Sequence, residues 1–278
     1  MTTQAPKLGI LAGGGSAPQR VLEMVLQAGR SFTLIGLEGQ ADPSLGDGLP
    51  CHWLPLGAGA RLVELLRNEA VEEVVFIGRV RRPSLFELRP DGYTMQKLLK
   101  IGFNMLGDDG LLRGVEKIFA DEGFRVVGVQ DIFTQFLTPA GQLGAVAPSA
   151  QDKADMQRAA QIARQLGSAD VGQAVIVQQG LVLGLEAIEG TDALIARAGG
   201  LKRAGGGGVL VKMCKPQQDR RLDLPTIGLA TMQAVQAAGL AGIAAEAGNS
   251  LFFDREAALA AADAAGLFVC GYADGAAS

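Results

Sequence analysis

"KLGILAGGGSAPQRVLEMVLQAG", residues 7–29, decides the fold. An apolar run, Leu8 to Ala12, meets Gly13, Gly14 and Gly15 at once. Ser16 then stands where a helix cap is wanted, and Pro18 falls in the first helical turn. The pattern is strand, glycine loop, helix. Outward from it the same alternation returns. "SFTLIGLEG" (31–39), "CHWLPLG" (51–57), "EEVVFIGRV" (72–80) and "FRVVGVQD" (124–131) read as strands. "GARLVELLRNEAV" (59–71), "TMQKLLKIGFNM" (94–105) and "DDGLLRGVEKIFADEG" (108–123) have helical spacing. Strands alternating with helices predict an α/β domain over residues 1–132, with a Rossmann-like parallel sheet and helices on both faces.

The period then fades. Residues 133–150, rich in proline and glycine, read as a linker. A second, mixed α/β domain is expected over 151–278. It opens with an amphipathic helix capped by Asp152. "VGQAVIVQQGLVLGLEAIEG" (171–190) follows as a hairpin turning at Gln-Gln-Gly. Thr191 caps a short helix, "GGVLVKMCK" (207–215) is a strand closed by Lys215, and a helix starts at Pro225. "LAGIAAEAGNSLFFD" (240–254) holds one or two strands, and helix 255–266 and strand 267–272 complete the chain's elements.

Composition narrows the function. Of 278 residues 48% are hydrophobic and 19% charged, enough apolar content for real cores. The net charge of -4 is spread over both halves, so neither is a basic platform for nucleic acid. Cys51, Cys214 and Cys270 are far apart and form no CxxC pair, which predicts reduced thiols and a cytoplasmic protein. The first apolar run meets glycines too soon for a secretion signal, and no run approaches the ~20 residues of a membrane span. His52 is the single histidine. Zincins and histidine-rich two-metal hydrolases need several, so any metal here must be held by carboxylates, which favours Mg²⁺ or Mn²⁺.

Four stretches could carry chemistry. Gly13–Gly15 before a helix can bring backbone N–H groups close to a phosphate, although the spacing matches neither GxGxxG nor a P-loop. A tight turn is the alternative reading. Arg79, Arg81 and Arg82 follow a strand end, where ligands of parallel sheets bind. Glu186, Glu189 and Asp192 gather carboxylates that could hold a divalent cation or start a helix. The densest is "KMCKPQQDRRLDLPTIG" (212–228). Lys212 sits inside an apolar strand, and Lys215, Asp219, Arg220, Arg221 and Asp223 follow in an otherwise apolar neighbourhood. Cations there can neutralise phosphate oxygens, and a carboxylate can bind Mg²⁺ or orient water.

These stretches carry a resemblance. "GILAGGGSAP" (9–18), "FIGRVRRP" (76–83), "GDDGLLRGV" (107–115), "LGLEAIEGTDALIARAG" (183–199), "VLVKMCKPQQDRRLDLPTIG" (209–228) and "IAAEAG" (243–248) run in order along nearly the whole chain. In them the sequence resembles the LpxI-type UDP-2,3-diacylglucosamine pyrophosphatases of lipid A biosynthesis. The resemblance implies an N-terminal domain that holds uridine nucleotide and a C-terminal domain where hydrolysis occurs. It implies a Mg²⁺-dependent attack of water on the sugar-side phosphorus, releasing UMP and lipid X, at the cytoplasmic face of the inner membrane. On that basis Gly13, Gly14, Gly15, Ser16 and Arg79 are expected to contact nucleotide. Asp223, with Asp192 and Glu186, is expected at the metal, and Lys212, Lys215, Arg220 and Arg221 at the phosphates. Glu186, Glu189, Thr191 and Thr226 are expected to contact substrate. Membrane contact would be transient, since no basic amphipathic helix is visible. Surplus apolar surface leaves room for a homodimer. Two other readings stand beside this one: a dinucleotide-linked oxidoreductase, resting on the first glycine loop, and a non-catalytic nucleotide-sugar or lipid carrier.

Overall fold

The computed structural model describes residues 5–81, 84–102 and 108–273. Arg82, and residues 103–105 of the expected helix, lie outside them. Two compact units emerge: Met1–Thr134 with Asp219–Asp223, and Gln135–Gln218 with Leu224–Ser278.

In the first unit the order is β1 (Leu8–Ala12), α1 (Ala17–Gln27), β2 (Phe32–Leu37), β3 (Cys51–Leu54), α2 (Gly59–Asn68), β4 (Glu73–Ile77), α3 (Leu85–Leu88), α4 (Gly92–Ile101), α5 (Asp108–Asp121), β5 (Arg125–Val126) and α6 (Val129–Ile132). The five strands are parallel in the order β3-β2-β1-β4-β5. β1 is buried along its whole length. That is why it reads as a continuous apolar run and not as an alternation: both faces of a parallel sheet are covered. Leu11 and Ile35 pack with Val63 and Leu66 of α2 and Phe119 of α5. Leu34 points the other way, where its methyl and that of Leu22 on α1 close around Gly46. The strand expected over 124–131 is cut short. β5 has two residues, and Gly128 starts α6, its N–H donating to Asp131 Oδ2 at 2.8 Å.

The second unit runs β6 (Gly141–Gln142), α7 (Ala150–Ser168), β7 (Ala174–Gln178), β8 (Leu181–Leu185), α8 (Gly190–Gly199), β9 (Val209–Lys212), β10 (Thr226–Ile227), α9 (Leu229–Ala237), β11 (Gly242–Glu246), β12 (Leu251–Phe252), α10 (Arg255–Ala264) and β13 (Phe268–Tyr272). Its six-stranded sheet has the order β6-β13-β11-β9-β7-β8. β9, β11 and β13 are parallel, while β6, β7 and β8 join antiparallel, so the sheet is mixed. α7 covers the face bearing Val175, Val177, Val209 and Val211. α8, α9 and α10 cover the face bearing Ile176, Leu210 and Ile243. The expected hairpin is β7–β8. Buried Asp155 fixes its turn, accepting from Gln179 N and Gly180 N, each at 2.7 Å.

Several local expectations are corrected. Ser149, not Asp152, caps α7; its hydroxyl accepts from Asp152 N at 3.1 Å while Asp152 Oδ2 accepts from Ser149 N at 2.9 Å. This is a reciprocal capping box, in which Asp152 is the third helical residue. Glu189 occupies the cap position of α8, and Thr191 lies inside the first turn. β9 ends at Lys212, so Lys215 lies beyond the strand. No helix starts at Pro225: Thr226 and Ile227 form β10, paired with Leu251 and Phe252, and α9 begins at Leu229. The stretch read as a linker holds β6, which pairs with β13. No helix among the described residues is long and apolar enough to cross a membrane.

Candidate functional site

The order of the first sheet reverses beside β1, and its C-terminal end there is where such sheets take ligands. Gly13–Ser16 leave β1 at this point, and Gly78 and Arg79 leave β4 beside them. The two turns are stitched together. Gly13 N donates to Ile77 O and Gly14 N to Arg79 O, each at 2.8 Å, and Arg79 N donates back to Gly14 O at 2.8 Å. The approach is so close that a Cβ on Gly13 would stand 2.5 Å from Arg79 O. The amides of Gly13 and Gly14 are therefore committed to the fold, and these glycines are there for proximity. What faces outward is Gly15 (φ 92°), Ser16 and the exposed Arg79. Ser16 makes no side-chain cap bond.

The charged run divides between the units. Asp219–Asp223 belong to the first, Lys212 and Lys215 to the second. Within the first unit Leu222 is buried in the core of Phe119, Phe124 and Val126. Burying one leucine contributes about 1.5–3 kcal/mol, enough to anchor so short a segment. Polar bonds fix its course. Arg221 holds Asp219 Oδ2 at 2.6 Å and Glu116 Oε1 at 3.2 Å, and Gln130 Nε2 donates to Arg220 O at 2.8 Å. The Arg221 guanidinium holds the Asp219 carboxyl below the usual carboxylate range. Arg221 is thus engaged with two carboxylates, while the side chains of Arg220 and Asp223 are exposed.

In the second unit the site residues sit at the C-terminal ends of the parallel strands. Lys212 ends β9 and is buried, and its Nζ donates to Thr226 O at 3.0 Å. An ammonium in such apolar surroundings needs that partner. Its register neighbour across β11 is Ala245, and Glu246 follows. Glu246 escaped the sequence reading. Its Oε2 accepts from Cys214 N at 2.8 Å and its Oε1 from Asn249 Nδ2 at 3.1 Å. Beyond Lys212 the chain turns on buried Gln218, whose Oε1 accepts from Lys215 N at 3.0 Å. Lys215 Nζ reaches Asp170 Oδ1 at 2.7 Å, another partner not foreseen. An acid closing an alanine-rich strand was the available signal for Glu246; nothing local marks Asp170.

The second carboxylate group is brought together only in part. Glu186 is buried just beyond β8 and accepts from Thr191 Oγ1 at 2.6 Å and Gln173 N at 3.0 Å. Glu189 is tied to Arg197 at 2.8 Å, and Asp192 is exposed in the first turn of α8. Gly205–Gly208 lie at the N-terminal end of β9, the end away from Lys212. Buried Gln178 pins this loop, donating to Arg203 O at 3.0 Å and Gly206 O at 2.6 Å and accepting from Arg203 N at 2.8 Å.

Among the described residues no group of three or more His, Cys, Asp or Glu is placed to hold a metal ion. An all-protein cage is therefore not what these residues offer. Mg²⁺ asks for less, since it keeps several waters and takes one or two carboxylates plus substrate phosphates. Asp223 in the first unit and Asp192 in the second each present a single exposed carboxylate. The buried, doubly hydrogen-bonded Glu186 suits a positioning part.

Comparison with known proteins gives a consistent picture. A family model described as the LpxI N-terminal domain matches residues 7–136. One described as the LpxI C-terminal domain matches residues 139–270. The chain is also 43% identical over 272 residues to the UDP-2,3-diacylglucosamine pyrophosphatase LpxI of Caulobacter vibrioides, covering 95% of this chain and 97% of that protein.

Proposed function

The chain belongs to the LpxI family, and on that premise we propose that it hydrolyses the pyrophosphate of UDP-2,3-diacylglucosamine to UMP and 2,3-diacylglucosamine 1-phosphate, lipid X. One observation carries this reading: 43% identity, over nearly the full length of both chains, to a protein named for that activity.

In this reading the outward atoms of Gly15, Ser16 and Arg79 meet the nucleotide. Water attacks the sugar-side phosphorus. Asp223, exposed on a segment that Leu222 and Arg221 anchor, is the carboxylate that would hold Mg²⁺ or accept a proton from that water. Asp192 is the second candidate ligand. A bound divalent cation supplies positive charge to the phosphate oxygens and lowers the pKa of water. Lys212, Lys215 and Arg220 contribute positive charge for the developing negative charge. Arg221 acts by holding the segment that bears Asp223, and Glu186 by holding Thr191. Glu189 and Thr226 remain assigned to substrate. The protein works in lipid A synthesis at the cytoplasmic face of the inner membrane, meeting the bilayer transiently.

The test is Asp223→Ala. Removing a group that acts on the reacting centre costs roughly a hundredfold or more in turnover. The variant should lose that much yet keep its melting temperature and its affinity for UMP. A variant retaining more than about a tenth of the activity, only ~1.4 kcal/mol of barrier, would remove Asp223 from the mechanism.

A further inference from the structure

No residue of "GDDGLLRGV" (107–115) has a part in the reaction assigned above, yet this stretch leads straight to Glu116 on α5. α5 is a firm base. Phe119 is buried in the core, and Leu112 and Val115 pack against it. Gly114 lies so close to α4 that a Cβ there would stand 2.8 Å from Ile101 Cδ1. Glu116 and Phe119 are three residues apart, so they share one face of the helix. The segment Asp219–Asp223 meets that face twice. Leu222 enters the core that holds Phe119, and Arg221 Nη2 reaches Glu116 Oε1 at 3.2 Å.

The contacts of this segment divide by what they fix. Leu222 N and Asp223 N donate to Asp219 O at 3.0 and 3.2 Å. Arg221 Nε and Nη2 grip the Asp219 carboxylate at 3.0 and 2.6 Å. These bonds are internal; they give the turn its shape but not its place on the unit. Burial of Leu222 sets its depth. The hydrophobic effect has no direction, however, and leaves the turn able to swing about that side chain. Two directional bonds stop the swing. One joins Glu116 of α5 to Arg221. The other comes from α6, where Gln130 Nε2 donates to Arg220 O at 2.8 Å. The exposed Asp223 follows two residues after Arg221.

We propose that Glu116 and Gln130 are positioning residues of the reaction, aiming Asp223 through Arg221 and the Arg220 carbonyl. This rests on the role given to Asp223 above. Misplacing a reacting group by about 1 Å costs on the order of a hundredfold in rate. The Arg221–Glu116 pair is 41% and 23% exposed, and exposed pairs add little to stability. Arg221 also keeps Asp219 when Glu116 is gone. Losing Glu116 therefore strikes turnover and spares the fold.

The test is a mutant cycle on the full chain with UDP-2,3-diacylglucosamine and Mg²⁺. Glu116→Ala should lower kcat about tenfold or more, with KM, UMP affinity and melting temperature unchanged. Glu116→Gln keeps an acceptor for Arg221 and should recover most of that loss. Gln130→Leu should behave like Glu116→Ala, and carries the same test should that variant fail to fold. Lys117→Ala, exposed on the same helix, should leave kcat as it is. On top of Asp223→Ala, Glu116→Ala should cost less than about twofold more. Hydrogen exchange reads the same point without turnover. In the metal-free protein the amides of Leu222 and Asp223 should exchange about tenfold faster in Glu116→Ala, and those of β1 as in wild type. A smaller loss of kcat, an equal loss with and without Asp223, or unchanged exchange overturns the proposal. So does a marked fall in melting temperature in both Glu116 variants, which makes the residue structural. An inactive Asp223→Ala beside a fully active Glu116→Ala removes this inference alone. An active Asp223→Ala removes the role of Asp223 and this inference with it.

Discussion

The two glycine runs of this chain look alike in sequence and are opposites in structure. Gly13–Gly15 follow a strand, at the end where parallel sheets bind ligands. Gly205–Gly208 precede a strand, at the other end of its sheet. In the first run glycine is demanded by closeness: the Arg79 backbone leaves no room for a Cβ on Gly13. In the second it is demanded by conformation. All four residues have positive φ, 103°, 74°, 79° and 99°. The first run is held by backbone bonds to its neighbour turn, the second by a buried glutamine. Glycine content alone therefore locates no site. What separates the two is which strand end they occupy and what faces outward from them.

Substitutions can break or sharpen this contrast. The largest effect belongs to Gly13→Ala. Its Cβ meets backbone, which cannot swing aside, so we expect a loss of about 2–3 kcal/mol in urea unfolding, with UMP binding weakened as well. Gln178→Leu comes next. It leaves Arg203 and Gly206 groups without their buried partner and should cost about 1–2 kcal/mol, with UMP binding untouched. Gly206→Ala is the mildest. A Cβ there meets nothing within 4 Å, so only the positive φ is strained, at about 1 kcal/mol. If Gly206→Ala weakened UMP binding as much as Gly13→Ala, the distinction between the two runs would fall.

Much of the fold was legible because its signals are local. Leu8–Ala12, Glu73–Ile77 and the hairpin at Gln179–Gly180 announce themselves by composition and turn residues. The failures share a cause, which is that the deciding partner lies far along the chain. Thr226–Ile227 look like a first helical turn after Pro225, and only pairing with Leu251–Phe252 makes them a strand. The cap of α7 is different: Ser149 and Asp152 fit the box spacing, and the sequence reading chose the wrong member. For the candidate site, positions at strand ends could be read, but partners could not. That Leu222 joins a core built from residues 11–126, or that Lys215 meets Asp170, follows from tertiary packing and leaves no local mark. The reading of the charged run as one cluster missed that contacts assign its two halves to different units.

The reaction itself is the claim on which the rest depends, and product analysis in ¹⁸O-labelled water tests it most directly. Purified protein is incubated with UDP-2,3-diacylglucosamine and Mg²⁺, with and without EDTA, and the products are weighed by mass spectrometry. We expect UMP and lipid X, the label in lipid X, and no products with EDTA. Label in UMP would move the attack to the other phosphorus. Intact substrate after prolonged incubation, still bound to the protein, would contradict hydrolysis and make the chain a carrier.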